Sequence, residues 1–290
     1  MSHITPAPYG AQTMAGPLRR VAVRRPTSAF AVTDPERWNY AATPDLSGAI
    51  AEHDALVQLL VDDGAEIVRH DTPLPDHADA IFVHDPVLVA DSGTIVLRMG
   101  KELRRGEEAP LAATLETAGV PIAGRLTAPA TAEGGDLLWL DAATLAVGQG
   151  FRTNRAAFDQ LAAILPGVDL VPVPLPYHTG PAACLHLMSL ISVVAPDLAV
   201  VFRPLLPVPF LQELGDRGFR LVDVPEEELA THGSNVLATA PGRCIMLEGN
   251  PVTAQGLAAA GCDIRTYRGN EITLKAEGGA TCLTRAISRG

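Results

Sequence analysis

The chain nears its end with Glu277-Gly278-Gly279-Ala280-Thr281-Cys282-Leu283-Thr284-Arg285-Ala286-Ile287, which predicts a glycine-rich bend followed by a short strand. Adjacent glycines can adopt backbone conformations that other residues avoid, and they leave room for a ligand against the main chain. Cys282 directly follows the bend, where its thiol can be presented at the strand end. A free cysteine is more often a small buried apolar residue, so this stretch alone leaves both roles open.

A repeated order of elements precedes this stretch: strand, turn, strand, helix, strand. Four copies begin with predicted strands at 80–83, 136–140, 187–194 and 235–238, and their helices are predicted near 107–118, 153–165, 210–216 and 253–260. A fifth copy forms if a strand at 282–287 pairs with the N-terminal strand at 21–23. Repeats of this length bury their apolar faces against neighbouring repeats. The pattern therefore predicts an α/β ring of five ββαβ units around a central funnel.

The composition is that of a globular chain with a full hydrophobic core. Of the 290 residues, 47% are hydrophobic and 19% are charged, and the formal net charge is −11. This charge argues against a nucleic-acid partner, since phosphate binding needs clustered Lys and Arg, and it suits a cationic small ligand. No apolar run reaches the length of a membrane span, so we expect no membrane partner either.

The cysteine pattern bears on the compartment. The four residues Cys184, Cys244, Cys262 and Cys282 are far apart, with no Cys-x-x-Cys, which suits neither a zinc site nor a dense disulfide framework. Residues 1–16 lack the pattern of a signal peptide. We therefore expect a cytoplasmic protein with reduced thiols. It should form one catalytic domain over 1–290, with a leader at 1–18 and a lid loop at 26–45, and a homodimer stays open.

Polar residues recur at the same place in successive predicted units. A cysteine with a histidine is an arrangement for nucleophilic catalysis, and two carboxylates beside them can bind a cation or orient the histidine. If the units are equivalent, the ring brings these side chains to one axis. They are Asp79 and Asp85 from the first unit, Glu133 and Asp136 from the second, His186 from the third, Asn235 from the fourth and Cys282 from the fifth.

These residues also have ordinary structural explanations. Asp85-Pro86 suits a simple turn, Glu133 can cap or pair on a surface, and a lone histidine such as His186 in an apolar run is more often a satisfied core residue. Arg104 and Arg152 directly precede predicted helices. They are either solvated surface charges or bidentate binders of a carboxylate.

Six segments together resemble the guanidine-modifying superfamily, and most of all the dimethylarginine dimethylaminohydrolase family. The resemblance extends from about Arg20 to Ile287 and implies a five-bladed, pseudosymmetric α/β propeller. One departure is His84, where an acidic residue is common in the family. The matching segments are Phe82-Val83-His84-Asp85-Pro86-Val87, Arg104-Arg105-Gly106-Glu107, Glu133-Gly134-Gly135-Asp136, Arg152-Thr153-Asn154, Leu185-His186-Leu187 and Gly278-Gly279-Ala280-Thr281-Cys282.

The resemblance implies hydrolysis of dimethylarginine to citrulline and dimethylamine through a covalent cysteine intermediate, with no metal and no organic cofactor. It also implies a role for each matching residue. Cys282 resembles the nucleophile, His186 the general acid and base, Glu133 the carboxylate that contacts both the guanidinium and the histidine, Asp85 the second guanidinium carboxylate, Asp79 an acidic position close to the nucleophile, and Arg104 and Arg152 the pair that holds the substrate α-carboxylate.

Other functions stay open on the sequence. Arginine deiminase differs only in the leaving amine, although its usual helical insertion has no room between Arg104 and Glu133. Agmatine deiminase is disfavoured because its substrate has no carboxylate for an arginine pair, and an amidinotransferase would pass the group to an amine instead of water. A non-catalytic propeller-fold binding protein would not need the thiol, histidine and acidic residues.

Overall fold

The computed structural model describes residues 8–32, 34–181 and 185–290. The N-terminal part contains one short helix and one long helix between two strands. Asp45 is the N-cap of the long helix, because its carboxylate accepts a hydrogen bond from the Gly48 backbone N–H at 2.7 Å. The elements are strand β1 (Leu18–Val23), helix α1 (Pro35–Trp38), helix α2 (Leu46–Asp62) and strand β2 (Glu66–Arg69).

Four units of strand, strand, helix and strand follow. Unit 1 consists of β3 (Val87–Ala90), β4 (Gly93–Val96), α3 (Glu108–Thr117) and β5 (Ile122–Arg125). Unit 2 consists of β6 (Leu137–Asp141), β7 (Thr144–Gln149), α4 (Arg155–Ile164) and β8 (Asp169–Pro174), and unit 3 of β9 (Ile191–Ala195), β10 (Leu198–Val201), α5 (Val208–Asp216) and β11 (Arg220–Asp223). Unit 4 consists of β12 (Leu237–Ala240), β13 (Arg243–Leu247), α6 (Pro251–Ala259) and β14 (Asp263–Tyr267). In each unit the first two strands are antiparallel, and the second and third are parallel across the helix.

The last strand, β15 (Arg285–Arg289), completes a fifth unit with the N-terminal elements. It pairs antiparallel with β1, where Ala286 faces Val21, and β1 pairs parallel with β2. The two chain ends therefore share one three-stranded sheet, in the order β15-β1-β2. This confirms the predicted closure of the ring by the C-terminal stretch.

The hydrophobic core runs between neighbouring units, because each sheet buries its faces against the next sheet. Each of four apolar clusters joins consecutive units, and together they connect all five into a ring. Leu88 and Trp139 join units 1 and 2; Leu138, Val200 and Met246 join units 2, 3 and 4; Ile245 and Val21 join units 4 and 5; Ile287 and Val87 join units 5 and 1. The five-unit α/β propeller is thereby confirmed.

Several predicted strand boundaries were wrong. Residues 80–83 are not a strand, because Ala78–Ile81 forms a 3-10 helix and β3 begins only at Val87. Unit 3 likewise begins with a 3-10 helix, Leu187–Ser189, before β9. Cys282 lies in a turn, three residues before β15 begins. A short buried apolar run does not by itself distinguish a strand from a helical turn.

The remaining helical segments are short. They are the 3-10 helices Glu102–Arg104, Gly134–Asp136, Arg203–Leu205 and Glu226–Glu228 and the π-helix Asn270–Leu274. No helix among the described residues combines the length and apolar character that crossing a membrane requires.

The predicted leader, 1–18, lies partly outside the described residues, which begin at residue 8. From there the chain packs along the C-terminal strand. The Gly10 backbone N–H donates to Ile287 O at 2.9 Å, and the Arg289 N–H donates to Gly10 O at 2.8 Å. Gly10 thus forms a parallel bridge to Ser288 at the edge of the fifth unit.

Candidate active site

The candidate site lies where the chain enters the first strand of each unit. Every unit places one polar residue there, a few residues before that strand begins. These residues are Asp85 before β3, Glu133 before β6, His186 before β9, Asn235 before β12 and Cys282 before β15. Equivalent positions in a ring face the same central space, which is why residues so far apart in the sequence meet.

A cavity of about 570 Å³ opens at this centre. Its size is within the range of small-molecule sites. The predicted lid loop contributes Trp38 and Asn39, and the loop before α3 contributes Lys101 and Arg104. The other lining residues from the predicted set are Asp79, Asp85, Arg152, His186 and Cys282, together with Asn235.

Two glycine pairs, Gly134-Gly135 before β6 and Gly278-Gly279 before β15, allow side chains of other units to approach the main chain. A Cβ atom on Gly135 would lie 2.5 Å from His186 Nδ1, and one on Gly278 would lie 2.2 Å from a ring carbon of Phe82. The room expected for a ligand at Gly278 and Gly279 is therefore filled by protein side chains. The left-handed residue of this turn is Glu277, with φ 65°, and neither glycine.

His186 and Glu133 form the central polar pair. His186 Nε2 lies 2.8 Å from Glu133 Oε2. Glu133 is fully buried, and it also accepts from the Lys101 backbone N–H at 2.8 Å and from Arg152 Nη1 at 3.2 Å. Burial acts to raise the pKa of Glu133, but the hydrogen bond and charge of His186 and the charge of Arg152 outweigh it and lower the pKa to about 2. Glu133 is therefore ionised, and its carboxylate accepts a hydrogen bond from the Nε2–H of His186.

Asp136 holds these two residues in register. Its carboxylate accepts from the Leu187 backbone N–H at 2.9 Å, next to His186, and from Thr153 Oγ1 at 2.6 Å. The Thr153 hydroxyl in turn accepts from the Glu133 backbone N–H at 3.2 Å. Burial raises the pKa of Asp136 to about 6.

Asp85 is the second buried carboxylate. It accepts from Arg104 Nη1 at 2.6 Å and from the Gly135 backbone N–H at 2.9 Å. Burial acts to raise its pKa, yet the positive charges of Arg104 and His186 hold the pKa of Asp85 well below its ordinary value. The centre therefore carries two ionised carboxylates, from Asp85 and Glu133.

Arg104 is 3% exposed and is held from several sides. Besides Asp85, it donates to Glu107 Oε2 at 2.8 Å and to the backbone oxygen of Phe82 at 3.0 Å. Burial raises the pKa of Glu107 to about 7, with Arg104 opposing that shift. The sequence placed Arg104 beside a substrate carboxylate; here it meets protein carboxylates while lining the cavity.

Asp79 pairs with a residue that the sequence did not indicate. Lys101 Nζ donates to Asp79 Oδ2 at 2.6 Å and to the backbone oxygen of Trp38 at 2.7 Å. The ammonium also lies 5.4 Å from the centre of the Trp38 ring, within the range of a cation–π contact. Lys101 thus connects the predicted lid loop to the floor of the cavity.

Cys282 is half-buried and lines the cavity. Asn235 Nδ2 lies 3.4 Å from its sulfur, and the His84 backbone N–H donates to its carbonyl oxygen at 3.2 Å. Cys244 differs, because it is fully buried and burial raises the pKa of its thiol. The thiol of Cys282, unlike that of Cys244, is thus accessible from the cavity. Cys244, Cys262 and Cys282 form no disulfide within the described part of the chain, and Cys184 lies outside that part.

Asp85, Glu133 and His186 offer three ligand atoms within 4.8 Å of one another, a spacing that could hold a metal ion. In the structure the Asp85 and Glu133 carboxylates face arginine side chains and a backbone N–H group, and His186 Nε2 faces Glu133. Two carboxylates that already accept from guanidinium groups also suit a planar organic cation, which offers the same N–H donors.

The structure brings every predicted site residue to one region, where Glu133 lies just beneath the cavity wall. Sequence reasoning missed Lys101, Glu107 and the bridging role of Asp136. Asp136 and Glu107 each carried a signal, since they end the matching segments Glu133-Gly134-Gly135-Asp136 and Arg104-Arg105-Gly106-Glu107. Nothing in the pattern around Lys101 distinguishes it from a surface lysine.

Comparison with known sequences finds relatives among dimethylarginine dimethylaminohydrolases and, over a smaller part of the chain, among arginine deiminases. The model of the family described as N,N dimethylarginine dimethylhydrolase, eukaryotic, matches residues 36–287. The dimethylarginine dimethylaminohydrolase of Streptomyces coelicolor is 33% identical over 273 residues, covering 92% of this chain and 96% of that protein. The arginine deiminase of Mycobacterium avium is 29% identical over 195 residues, covering 56% of this chain and 47% of that protein.

Solved structures agree with the fold. A mutant DDAH from Pseudomonas aeruginosa complexed with citrulline has a TM-score of 0.78 at 25% identity, covering 93% of this chain and 99% of that one. A dimethylarginine dimethylaminohydrolase adduct with S-methyl-L-thiocitrulline also has a TM-score of 0.78 at 25% identity, covering 92% of this chain and 99% of that one. The N-terminal domain of ArgZ, with a TM-score of 0.79 at 21% identity over 93% of this chain and 98% of that one, shows the shared fold alone.

Proposed function

This chain belongs to the N,N-dimethylarginine dimethylhydrolase family, and from that premise we propose that it hydrolyses dimethylarginine to citrulline and dimethylamine. One observation carries the assignment. A half-exposed thiol, a histidine bonded to an ionised carboxylate and a second ionised carboxylate meet around one cavity of about 570 Å³. A thiol, an imidazole and acceptors for a cation are what guanidinium hydrolysis needs.

Substrate binding is assigned to the two buried carboxylates. Glu133 and Asp85 accept hydrogen bonds from the guanidinium nitrogens, which fixes the plane of the cation against Cys282. The negative charge of both residues at neutral pH supports this role. A guanidinium is a weak electrophile because its charge is delocalised, so orientation contributes much of the catalysis.

The chemistry then proceeds in two steps. The Cys282 thiolate attacks the central guanidinium carbon and forms a C–S bond, and the C–N bond to dimethylamine breaks as His186 delivers a proton to the departing nitrogen. A thiouronium intermediate remains on the sulfur. Water, deprotonated by His186, adds to the same carbon, the C–S bond breaks, and citrulline and the free thiol are released.

The amino-acid end of the substrate is assigned to the cavity wall. We assign the α-carboxylate to Arg104 and Arg152, which line the cavity and can bind a carboxylate in a bidentate way. Asp85 and Glu133 orient these arginines. Asp79 is assigned to substrate binding as an acidic group shared with Lys101.

One assay set separates this activity from its alternatives. Dimethylarginine, monomethylarginine, arginine and agmatine are compared for ureido product and for the amine released. We expect turnover of a methylated arginine to citrulline. Preferred release of ammonia from arginine would make the chain an arginine deiminase, transfer to an added amine would make it an amidinotransferase, and no turnover of any compound would favour a binding protein.

Two variants test the covalent scheme. Cys282→Ser should abolish turnover and leave binding of dimethylarginine measurable by calorimetry, whereas Cys262→Ser, at a half-buried thiol outside the cavity, should keep full activity. His186→Gln removes both the proton for the departing amine and the base for water, so turnover should be lost, and an adduct found on Cys282 of this variant by peptide mass spectrometry would support the two-step scheme. Retained turnover by Cys282→Ser would refute the nucleophile assignment.

A further inference from the structure

Asn235 occupies in unit 4 the position that Asp85, Glu133, His186 and Cys282 occupy in the other units. It is 5% exposed and lines the cavity. Its backbone N–H donates to His232 O at 2.9 Å, which fixes the turn two residues before β12. Four of the five equivalent positions have a place in the proposed chemistry, and the fifth has none so far.

The hydrogen bonds of the Asn235 amide set its orientation. Oδ1 accepts from the Thr281 backbone N–H at 3.0 Å, one residue before the nucleophile, and this leaves Nδ2 facing Cys282 Sγ at 3.4 Å. If the amide were flipped, its Nδ2–H would face the Thr281 backbone N–H. Two donors would then oppose each other, so the flipped orientation is disfavoured. A Cβ on Gly279 would lie 2.5 Å from Asn235 Oδ1, so the turn that carries Cys282 packs directly on the amide.

A donor in this place acts on the reacting atom. Hydrogen bonding to the charged form of a group favours that form, and a bond to an ionised acceptor is stronger than one to a neutral acceptor. An N–H that points at sulfur therefore favours the thiolate over the thiol. The nearby carboxylates act in the opposite sense, so the site needs donors to keep a reactive thiolate.

We propose that Asn235 is a catalytic residue, whose Nδ2–H donates to the Cys282 sulfur, stabilises the attacking thiolate and directs it toward the bound guanidinium. The assignment rests on the proposed function for its chemistry, while the contact to sulfur stands on the structure. During attack the sulfur loses negative charge as the C–S bond forms. The same N–H stabilises the charge again when the thiolate leaves in the second step.

The test measures thiol reactivity without turnover. Iodoacetamide labelling of Cys282 is followed from pH 5 to pH 10 by peptide mass spectrometry, with kcat and KM recorded in parallel. Other charged or titratable groups around the sulfur stay unchanged across the variants, so differences report on the amide. These groups are Asp79, Asp85, Glu226, Glu277, Lys101, Arg104, Arg152, His178, His186 and His232 in the cavity wall, Glu133 beneath it and Tyr267 behind it.

Two substitutions separate loss of the donor from added charge. Asn235→Ala removes the donor, and we expect the midpoint of labelling to move up by about one pH unit and kcat/KM at pH 7 to fall about tenfold, the scale of one hydrogen bond to a charged group. Asn235→Asp keeps the acceptor for Thr281 N–H and puts an oxygen against the sulfur, so its shift should be larger. KM should change little in both.

The control is Asn154→Asp, the same chemical change at the N-cap of α4. There the amide oxygen accepts from the Ala157 N–H at 3.0 Å and Nδ2 donates to Pro129 O at 2.9 Å, with no sulfur involved. Its labelling profile should match that of the unsubstituted protein. If Asn235→Asp fails to fold, Asn235→Ala and Asn235→Ser carry the test.

A labelling midpoint unchanged in folded Asn235→Ala and Asn235→Asp would overturn the inference. Failure of the proposed function looks different: the unsubstituted protein would turn over no guanidino compound, while the labelling comparison would still report on Asn235.

Discussion

Glu133 Oε2 and His186 Nε2 lie 2.8 Å apart, although 53 positions of sequence separate the two residues. They meet because each precedes the first strand of its unit, and units 2 and 3 are neighbours in the ring. The ionised carboxylate requires that Nε2 carry the proton. The pair therefore sets both the position and the tautomer of the proposed acid and base.

Glu133→Gln should lower kcat by about 10²–10⁴-fold, the usual contribution of a positioned acid–base group. The amide keeps the shape of the side chain but loses the charge that orients His186 and binds the cation. Steady-state kinetics with dimethylarginine at pH 7 provides the measurement. Glu102→Gln, at an 84% exposed side chain, is the control, and wild-type kcat in Glu133→Gln would contradict the role.

Arg104→Lys should raise KM for dimethylarginine at least about tenfold, because an ammonium cannot reproduce the bidentate contacts of a guanidinium. The decarboxylated analogue of dimethylarginine shows which partner matters. If Arg104 binds the substrate carboxylate, the variant should lose activity on dimethylarginine and little on the analogue. Equal loss on both compounds would indicate that Arg104 acts only by holding Asp85. Arg105→Lys, at the exposed neighbour, should behave as the unsubstituted enzyme.

Lys101→Met should loosen the segment 26–45, because it removes the bonds from Nζ to Trp38 O and Asp79. We expect faster cleavage by trypsin after Arg37 and a higher KM, with the overall fold retained. Arg155→Met is the control, because the Arg155 side chain is 68% exposed on α4 and pairs there with Asp159. Its cleavage rate should match that of the unsubstituted protein, and equal rates in Lys101→Met and Arg155→Met would contradict this role of Lys101.

Asp136 makes stability depend on pH in a defined direction. Burial raises its pKa to about 6, whereas an unfolded aspartic acid titrates near 3.9. As pH rises through this window, the unfolded state releases its proton first, so the folded state loses relative stability between about pH 4 and pH 6. Below that window both states are protonated, and above it both are ionised.

Asp136→Asn removes this titration. Relative to the unsubstituted protein, its free energy of unfolding should gain on the order of 2–3 kcal/mol between pH 4 and pH 7, measured by urea denaturation at each pH. Asp76→Asn, at an exposed residue, should show no such gain. A difference between Asp136→Asn and the unsubstituted protein that stays constant over this range would exclude the assignment.

Much of this architecture could be predicted before any coordinates. The recurring order of apolar runs predicted five units, and the apolar runs at both ends predicted the shared sheet of β15, β1 and β2. The spacing of polar residues placed Asp85, Glu133, His186, Asn235 and Cys282 at equivalent points. These inferences succeed because hydrophobic periodicity and repeat length are local properties of the chain, and because packing of equivalent units leaves little choice of partner.

Tertiary structure alone decided how those residues are held. It folded Ala78–Ile81 into a 3-10 helix where a strand was predicted, placed Lys101 between Asp79 and Trp38, and set Arg104 between Asp85 and Glu107. Each of these contacts depends on distances between separate segments and on the removal of water around buried charges. Both arise only when the ring closes, so no local pattern records which acid meets which base.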